Sequence, residues 1–549
     1  MKDGGSRWSQ MGGVALIVLI SLFVLQMTLQ PQNARLVNAQ PEQIFSKRSD
    51  MVLPEAERYI EVQKLLASDG AANDQFGTMV DLEGELAVVG AYYKMVGENQ
   101  HQGEAYVFQR VSDDPEQWTE VARLVANDGT AESWFGIPVA ISGDLVAIGA
   151  PFAHADGDGA PGAVYLFSRH AGGTDQWGQV AKLTAGDAED GDLFGFVLSL
   201  EDKRLAVGAP GATENGQEEC GAAYIFEAQT NDIHIWNEVQ KLTLSACLPH
   251  TGFGGNVTLS GNTLVVAADN FFYVGQPGSA YVFGLNEVTG GNWEEVTKLT
   301  ASNGAPNDLF GDPLALEGDT LIVGANNLLS GAAYIFERNA GGPDNWGEVK
   351  ILAAASNNGD NFGLDADLSG DVAIVGAYRQ DAVYVFHRWA GGEGQWGQVA
   401  RLSASDDEPN HVEEFGLGAK VDGETAVIGA RFAEIDGQTD QGAAYIFHLA
   451  PTFDLSVESN GNGAGQVVSW PPGIDCGITC THSFAIGEVV TLTAVPHPPA
   501  YFSGWQGTCE GLADCVLRIT EPQQVTATFS HFQSFLPILW QNPGDDPNH

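Results

Sequence analysis

The chain is poor in positive charge. Of 549 residues only 24 are Lys or Arg, against 71 Asp or Glu, and the formal net charge is −47. A nucleic-acid partner needs a positive footprint on the protein, so that class is excluded. Docking on an anionic membrane surface is excluded for the same reason. The acidity fits a solvated exterior, a salty habitat or weak Ca²⁺ binding, and composition does not separate these. Long apolar runs are missing too. The N-terminal run Val14 to Leu25 is 12 residues, broken by Ser21, whereas a membrane-spanning helix needs about 20. With Lys2 and Arg7 before it and Val37-Asn38-Ala39 after it, the run reads as a signal peptide over residues 1–39, with an uncleaved anchor as the alternative. Residues 40–58 then form a linker. Cysteines number only six, and in an exported chain they are potential disulfide partners. No HExxH, nucleophile-elbow or phosphate-loop motif is present, and the 12 His are scattered without metal-ligand spacing. The reading is therefore a protein that is not an enzyme and needs no cofactor.

Glycine is plentiful, 68 residues, well above the ~7% of an average protein. That points to many tight turns and little helix. The turns belong to an internal repeat. Phe-Gly recurs at Phe76, Phe135, Phe194, Phe253, Phe310, Phe362 and Phe415. Fourteen residues after each Phe comes a small pair, Gly90-Ala91 in the first copy and Gly429-Ala430 in the last. A Tyr-x-Phe triplet follows at Tyr106, Tyr165, Tyr224, Tyr281, Tyr334, Tyr384 and Tyr445. Twelve residues after the first six of these lies a Trp, from Trp118 to Trp396, and six after each Trp a Leu.

Each copy reads as four short strands. The second and third are apolar on both faces, as in Ala87-Val88-Val89 and Tyr106-Val107-Phe108, so they must lie between neighbouring sheets. The fourth starts at the Trp and mixes apolar with charged residues, as a half-exposed edge does. Such units stacked around an axis make a seven-bladed β-propeller, an all-β fold. The seventh copy lacks its Trp strand. Tyr59 to Leu65 repeats the Trp-to-Leu spacing ahead of the first copy, so an N-terminal strand is expected to complete the last blade. The propeller spans residues 59–450.

The Phe-Gly and Gly-Ala landmarks, complete with Pro at Gly149-Ala150-Pro151 and Gly208-Ala209-Pro210, resemble the FG-GAP repeat of integrin α-chain propellers and of secreted bacterial relatives. The resemblance implies that the face carrying the loops between strands 2 and 3 binds ligand. The Asp-rich Ca²⁺ loop that integrins often carry between strands 1 and 2 has no counterpart here, because these turns span only two to four residues. Residues 451–530 resemble a small Cys-bearing β repeat of bacterial surface proteins, and 531–549 form a tail.

Loop lengths locate a candidate face. From small pair to Tyr the spacings are 16, 16, 16, 14, 10, 8 and 16, so long loops form one arc over copies 7, 1, 2 and 3. Aromatics there that the repeat does not demand are Tyr92, Tyr93, Phe152, Phe271, Phe272, Tyr273 and Phe432, the candidate ligand-binding residues. The best candidate Ca²⁺ cluster is Asp156, Asp158, Asp187, Asp190 and Asp192, with side-chain-to-backbone turns as the competing role. Cys220 and Cys247 flank one blade on this face and are expected to pair. In the C-terminal module the local pairing Cys476–Cys480 and Cys509–Cys515 is preferred among three, with a zinc site as alternative. The resulting expectation is an exported adhesion or binding protein whose partner is an extracellular protein or glycan. A polysaccharide-acting enzyme and a structural surface scaffold are the rivals.

Overall fold

The computed structural model describes residues 59–112, 114–154, 160–230, 232–268, 275–289, 291–326, 331–353, 361–406, 412–476 and 480–531. Within them are nine four-stranded sheets, two single 3-10 turns and no α-helix. No helix among the described residues is long and apolar enough to cross a membrane.

Seven sheets correspond to the seven repeats. The first holds Val80–Glu83, Leu86–Ala91, Glu104–Val111 and Asp114–Leu124 as an antiparallel meander. Its second strand is buried along its whole length, as a strand between two neighbouring sheets must be. The fourth strand does not always begin at the Trp. In repeats 1 and 3 it starts ahead of it, at Asp114 and Asp232, because the hairpin ladder runs further out. In repeats 5 and 6 it starts just after it, at Gly347 and Gly397. The seventh sheet takes Ala419–Asp422, Thr425–Ala430 and Ala443–Leu449 from the end of the repeat region and Tyr59–Leu65 from its beginning. Tyr59 lies opposite Leu449 and Leu65 opposite Ala444.

The recurring glycines have a packing reason. A Cβ on Gly90 would lie 2.2 Å from the carbonyl oxygen of Gly136 in the next repeat, and one on Gly149 would lie 2.2 Å from that of Gly195. Each Gly-Ala pair therefore sits against the Phe-Gly turn of its neighbour, where no side chain fits. Gly429 of the seventh repeat meets Gly77 of the first in the same way, at 1.8 Å. A second set of ties runs along the opposite turns. The side chain ending each first strand accepts the backbone N–H of the next repeat's turn. Ser142 serves Asp202 (3.0 Å), Glu201 serves Gly261 (2.7 Å), Ser260 serves Gly318 (3.1 Å) and Ser369 serves Gly423 (3.1 Å). Glu83 serves Gly143 and Glu317 serves Gly370. Asp422 then serves Gly84 at 2.6 Å, joining repeat 7 to repeat 1.

The outer strands carry a β-bulge at a Val in every repeat. In the first it is Val121, between Glu120 and Ala122, and in the strand from the N-terminus it is Val62. A bulge twists the edge and blunts it against pairing with another chain. The Glu preceding the bulge is put to use: Glu120 accepts the N–H (2.8 Å) and hydroxyl (2.7 Å) of Ser68, and Glu61 likewise holds Ser405.

The remaining two sheets form the C-terminal module, which includes strands Thr452–Gly461, Val489–Pro496 and Gln523–His531. Leu455, Val490, Leu492, Trp505, Val525 and Phe529 from both sheets share one core. The module meets repeat 6 through Trp389, over which the Arg518 guanidinium lies at 4.2 Å, and through the Gly391 N–H, which donates to Thr520 (3.0 Å). Three disulfides are present: Cys220–Cys247, with Cα atoms 5.9 Å apart, Cys476–Cys480 and Cys509–Cys515.

Candidate functional site: the loop face

Two positions recur from repeat to repeat among the loops. One is the residue just before each Phe: Gln75, Trp134, Leu193, Gly252, Leu309, Asn361 and Glu414. All seven adopt a left-handed backbone, with φ from 49° at Asn361 to 64° at Gly252. A conformation that disfavours ordinary residues is thus imposed by the turn in every copy. The other is the residue after the small pair, which includes Tyr92, Pro151, Pro210, Asn326, Tyr378 and Arg431. Chemistry at these positions varies while the backbone does not, so they are where copies specialise.

In repeats 1 and 2 one of the two positions is aromatic, Tyr92 in the first and Trp134 in the second. Tyr92 meets Tyr93 edge-on (centroids 4.5 Å) and Trp134 (5.5 Å), and Trp134 in turn meets Phe152 (4.6 Å). Tyr93 stacks on His101 at 4.3 Å, and His101 Nδ1 lies 3.1 Å from Glu132. Tyr92 and Trp134 are buried, whereas Tyr93 and Phe152 are half-buried and present an edge to solvent.

In repeat 7 the positions are charged. Arg431 and Glu414 form a 2.7 Å ion pair with side chains only 7% and 5% exposed. Burial pulls the Arg431 guanidinium down, but Glu414 outweighs it and holds the group above its ordinary value. Arg431 also bonds the Tyr92 hydroxyl, which burial holds well above the ordinary tyrosine value. Its guanidinium lies 4.6 Å over the Phe432 ring. The face therefore has an aromatic sector on repeats 1 and 2, linked through Tyr92 to a buried ion pair on repeat 7.

A second polar group lies at the first strands of repeats 1, 6 and 7. Lys420 lies 3.7 Å from Asp365, and Asp81 and Asp367 also act on its charge. Burial pushes Asp81 up to about 7 and Asp367 up to about 6. Asp81 accepts the Ile141 N–H (2.7 Å) and Asp367 the Val421 N–H (2.9 Å).

The structure thus brings Tyr92, Tyr93 and Phe152 into one cluster, with Phe432 beside its charged end. Phe271, Phe272 and Tyr273 lie outside the described residues, as do Asp156 and Asp158. The remaining Ca²⁺ candidates do other work. Asp187 accepts the Tyr224 hydroxyl (2.9 Å) and the Lys241 ammonium (2.5 Å), and these bonds outweigh its burial and hold its carboxyl below the usual range. Asp190 accepts the Ala160 N–H (2.8 Å) and Asp192 the Glu189 N–H (2.8 Å). The Asp187 arrangement recurs. Asp69 takes Tyr106 and Arg123, and Asp406 takes Tyr445 and Lys64. The repeated Asp is a buckle between a turn, the core Tyr and the outer strand. Among the described residues, no three His, Cys, Asp or Glu side chains are placed to hold a metal ion.

Trp134, Tyr378, Glu414, Arg431 and Lys420 escape a reading of loop lengths, because they sit in the turns and inner strands. The available signal is departure from the repeat at a fixed offset from Phe-Gly or from the small pair.

The family model of the FG-GAP repeat matches residues 59–108, 118–167, 177–226, 236–283, 293–336, 346–386 and 396–447. The model of the divergent InlB B-repeat domain matches residues 466–533. No curated protein matches the chain. Seven matches that begin at the outer-strand Tyr or Trp and end at the Tyr-x-Phe strand cover more than half of the sequence: the chain belongs to the FG-GAP repeat family.

Proposed function

We propose that the seven repeats close into a β-propeller and that the protein is an exported, non-enzymatic adhesion or binding protein. Its loop face recognises an extracellular protein or glycan. The observation that carries this reading is where the side chains that break the repeat gather. Tyr93, Trp134, Phe152, Glu414 and Arg431 converge on one face, while the opposite turns repeat one hydrogen bond from copy to copy. Half-buried aromatics beside a buried ion pair are the anatomy of a contact surface: rigid apolar edges for affinity and fixed charge for orientation. The closing ties at Gly84, Gly77 and Leu65 support a ring, and a ring supports convergence of loops from several repeats.

The test is binding to arrays of glycans and extracellular proteins by the full chain and by a Tyr93→Ser/Phe152→Ser variant. Binding lost in the variant, with its melting temperature retained, is the expected result. Product formation from a captured glycan, or binding unaffected by the variant, refutes the reading.

A further inference from the structure

Repeat 1 departs from the others at a point the aromatic cluster does not explain. Two residues before the core Tyr, the other copies have Ala163, Ala222, Ser279, Ala332, Ala382 and Ala443; repeat 1 has Glu104. Three residues after the small pair, where repeats 2, 3 and 7 have Ala153, Ala212 and Ala433, repeat 1 has Lys94. Both residues are buried, Glu104 at 5% and Lys94 at 6% exposure. They open onto a cleft of about 530 Å³, lined also by Asp69, Met95, Arg123 and Val125.

The charges around the cleft do not balance. Lys94 Nζ is engaged by Asp74 (2.8 Å) and by the Asp69 carbonyl (2.8 Å), and Arg123 by the Asp69 carboxylate (2.7 Å). Among the described residues Glu104 accepts a 3.2 Å bond from the Tyr106 hydroxyl, which makes its shorter 2.8 Å bond to Asp69. Three carboxylates, Asp69, Asp74 and Glu104, thus face two cations. Burial first, then Asp69, pushes the Glu104 carboxyl above its usual range, with Lys94, the Tyr106 bond and Arg123 pulling the other way. A buried carboxylate without its own cation destabilises the fold, and six other copies show that the fold does not need it. Its placement on the loop face fits a ligand that brings the missing positive charge.

We propose that this cleft is a subsite for a hexosamine ring with a free primary ammonium, a de-N-acetylated amino sugar. The ammonium lies against Glu104 and Asp69, Arg123 donates to ring hydroxyls, and exposed Met95 with Val125 receives the C–H face. The volume suits a ring and its substituents, within the range of small-ligand sites. This rests on the reading of the loop face as a binding surface and names the ligand class for one part of it.

The experiment is titration calorimetry of the full chain at pH 6.5 in about 0.15 M salt, where long-range attraction to the acidic protein is screened. The probes are the β-1,4 dimer of glucosamine, the dimer of N-acetylglucosamine and Nα-acetyl-lysine methylamide. The glucosamine dimer should bind at least about tenfold more tightly than the other two, a difference of ~1.4 kcal/mol. Glu104→Ala restores the residue of the other repeats, so it should fold and melt no lower, yet lose at least about tenfold in affinity. Glu424→Ala, in an exposed turn of the opposite face, should change nothing. Equal affinity for the two dimers, equal affinity for the lysine probe, unchanged binding by Glu104→Ala, or no binding of either dimer each overturns the subsite. The array test of the loop face stands apart from these outcomes, because Tyr93 and Phe152 do not line this cleft.

Discussion

Replacing Arg431 by Met tests whether the buried ion pair organises the loop face. The pair is 2.7 Å long, with both side chains more than nine-tenths buried. At an effective dielectric constant near 20, opposite charges about 4 Å apart attract by ~4 kcal/mol. Removing one partner leaves the other charge buried without compensation, which costs about 3–5 kcal/mol. Arg431→Met removes the partner of Glu414 and the bond to the Tyr92 hydroxyl together. The expected loss is therefore at the upper end of that range. Arg431→Met/Glu414→Gln removes the stranded charge and should recover more than half of the loss. Urea unfolding followed by circular dichroism measures both. A single variant that loses under about 1 kcal/mol, or a double variant as unstable as the single, refutes the reasoning.

Deleting residues 40–66 should lower the melting temperature far more than deleting 40–55, because only the longer deletion removes the strand Tyr59–Leu65 and its partners on Leu449 and Ala444; equal melting of the two would defeat the closure argument. Asp81 at about 7 and Asp367 at about 6 both sit above the unfolded carboxylate value of ~3.9. Carboxyls raised in the folded state contribute stability that is full below about pH 4 and lost as pH rises through 6 to 7. Stability should thus fall from pH 5 to 8, and Asp81→Ser, which can keep the bond to Ile141 as Ser199 does to Leu259, should flatten that slope; an unchanged slope counts against it. Cys220→Ser/Cys247→Ser should lose about 3.5 kcal/mol, the loop-closure value for a separation of 27 residues, and a loss under about 1 kcal/mol in urea unfolding would show the bond to be dispensable. Chelator should leave the melting temperature within about 2 °C, since Asp187 is already bonded to Tyr224 and Lys241 and a 1 kcal/mol effect moves a large domain by only a few degrees; a larger drop would point to a metal.

Spacing made the repeat legible, because Phe-Gly, Gly-Ala, Tyr-x-Phe and Trp mark contacts that recur in every copy. The Tyr59–Leu65 strand was legible for the same reason: it carries the outer-strand spacing at the wrong end of the chain. The Cys220–Cys247 pair followed from two cysteines flanking the last two strands of one repeat. The acids of the loops were harder. Sequence shows Asp187 seven residues before its Phe but not that Tyr224 and Lys241 reach it, so a repeated buckle and a Ca²⁺ ligand look alike.

What the sequence determined by itself is the unit: four strands, which faces are buried, where glycine must stand, and how many copies there are. Those properties come from local periodicity and from contacts repeated between neighbours. Only the tertiary structure decided what the exceptions do. Arg431 finds Glu414, Tyr92 finds Trp134, and Glu104 is left among too few cations, because residues remote in sequence or belonging to different repeats meet at a shared face. A residue that occurs in one copy has no internal periodicity to reveal its partner, and its chemistry depends on distances that the fold alone sets.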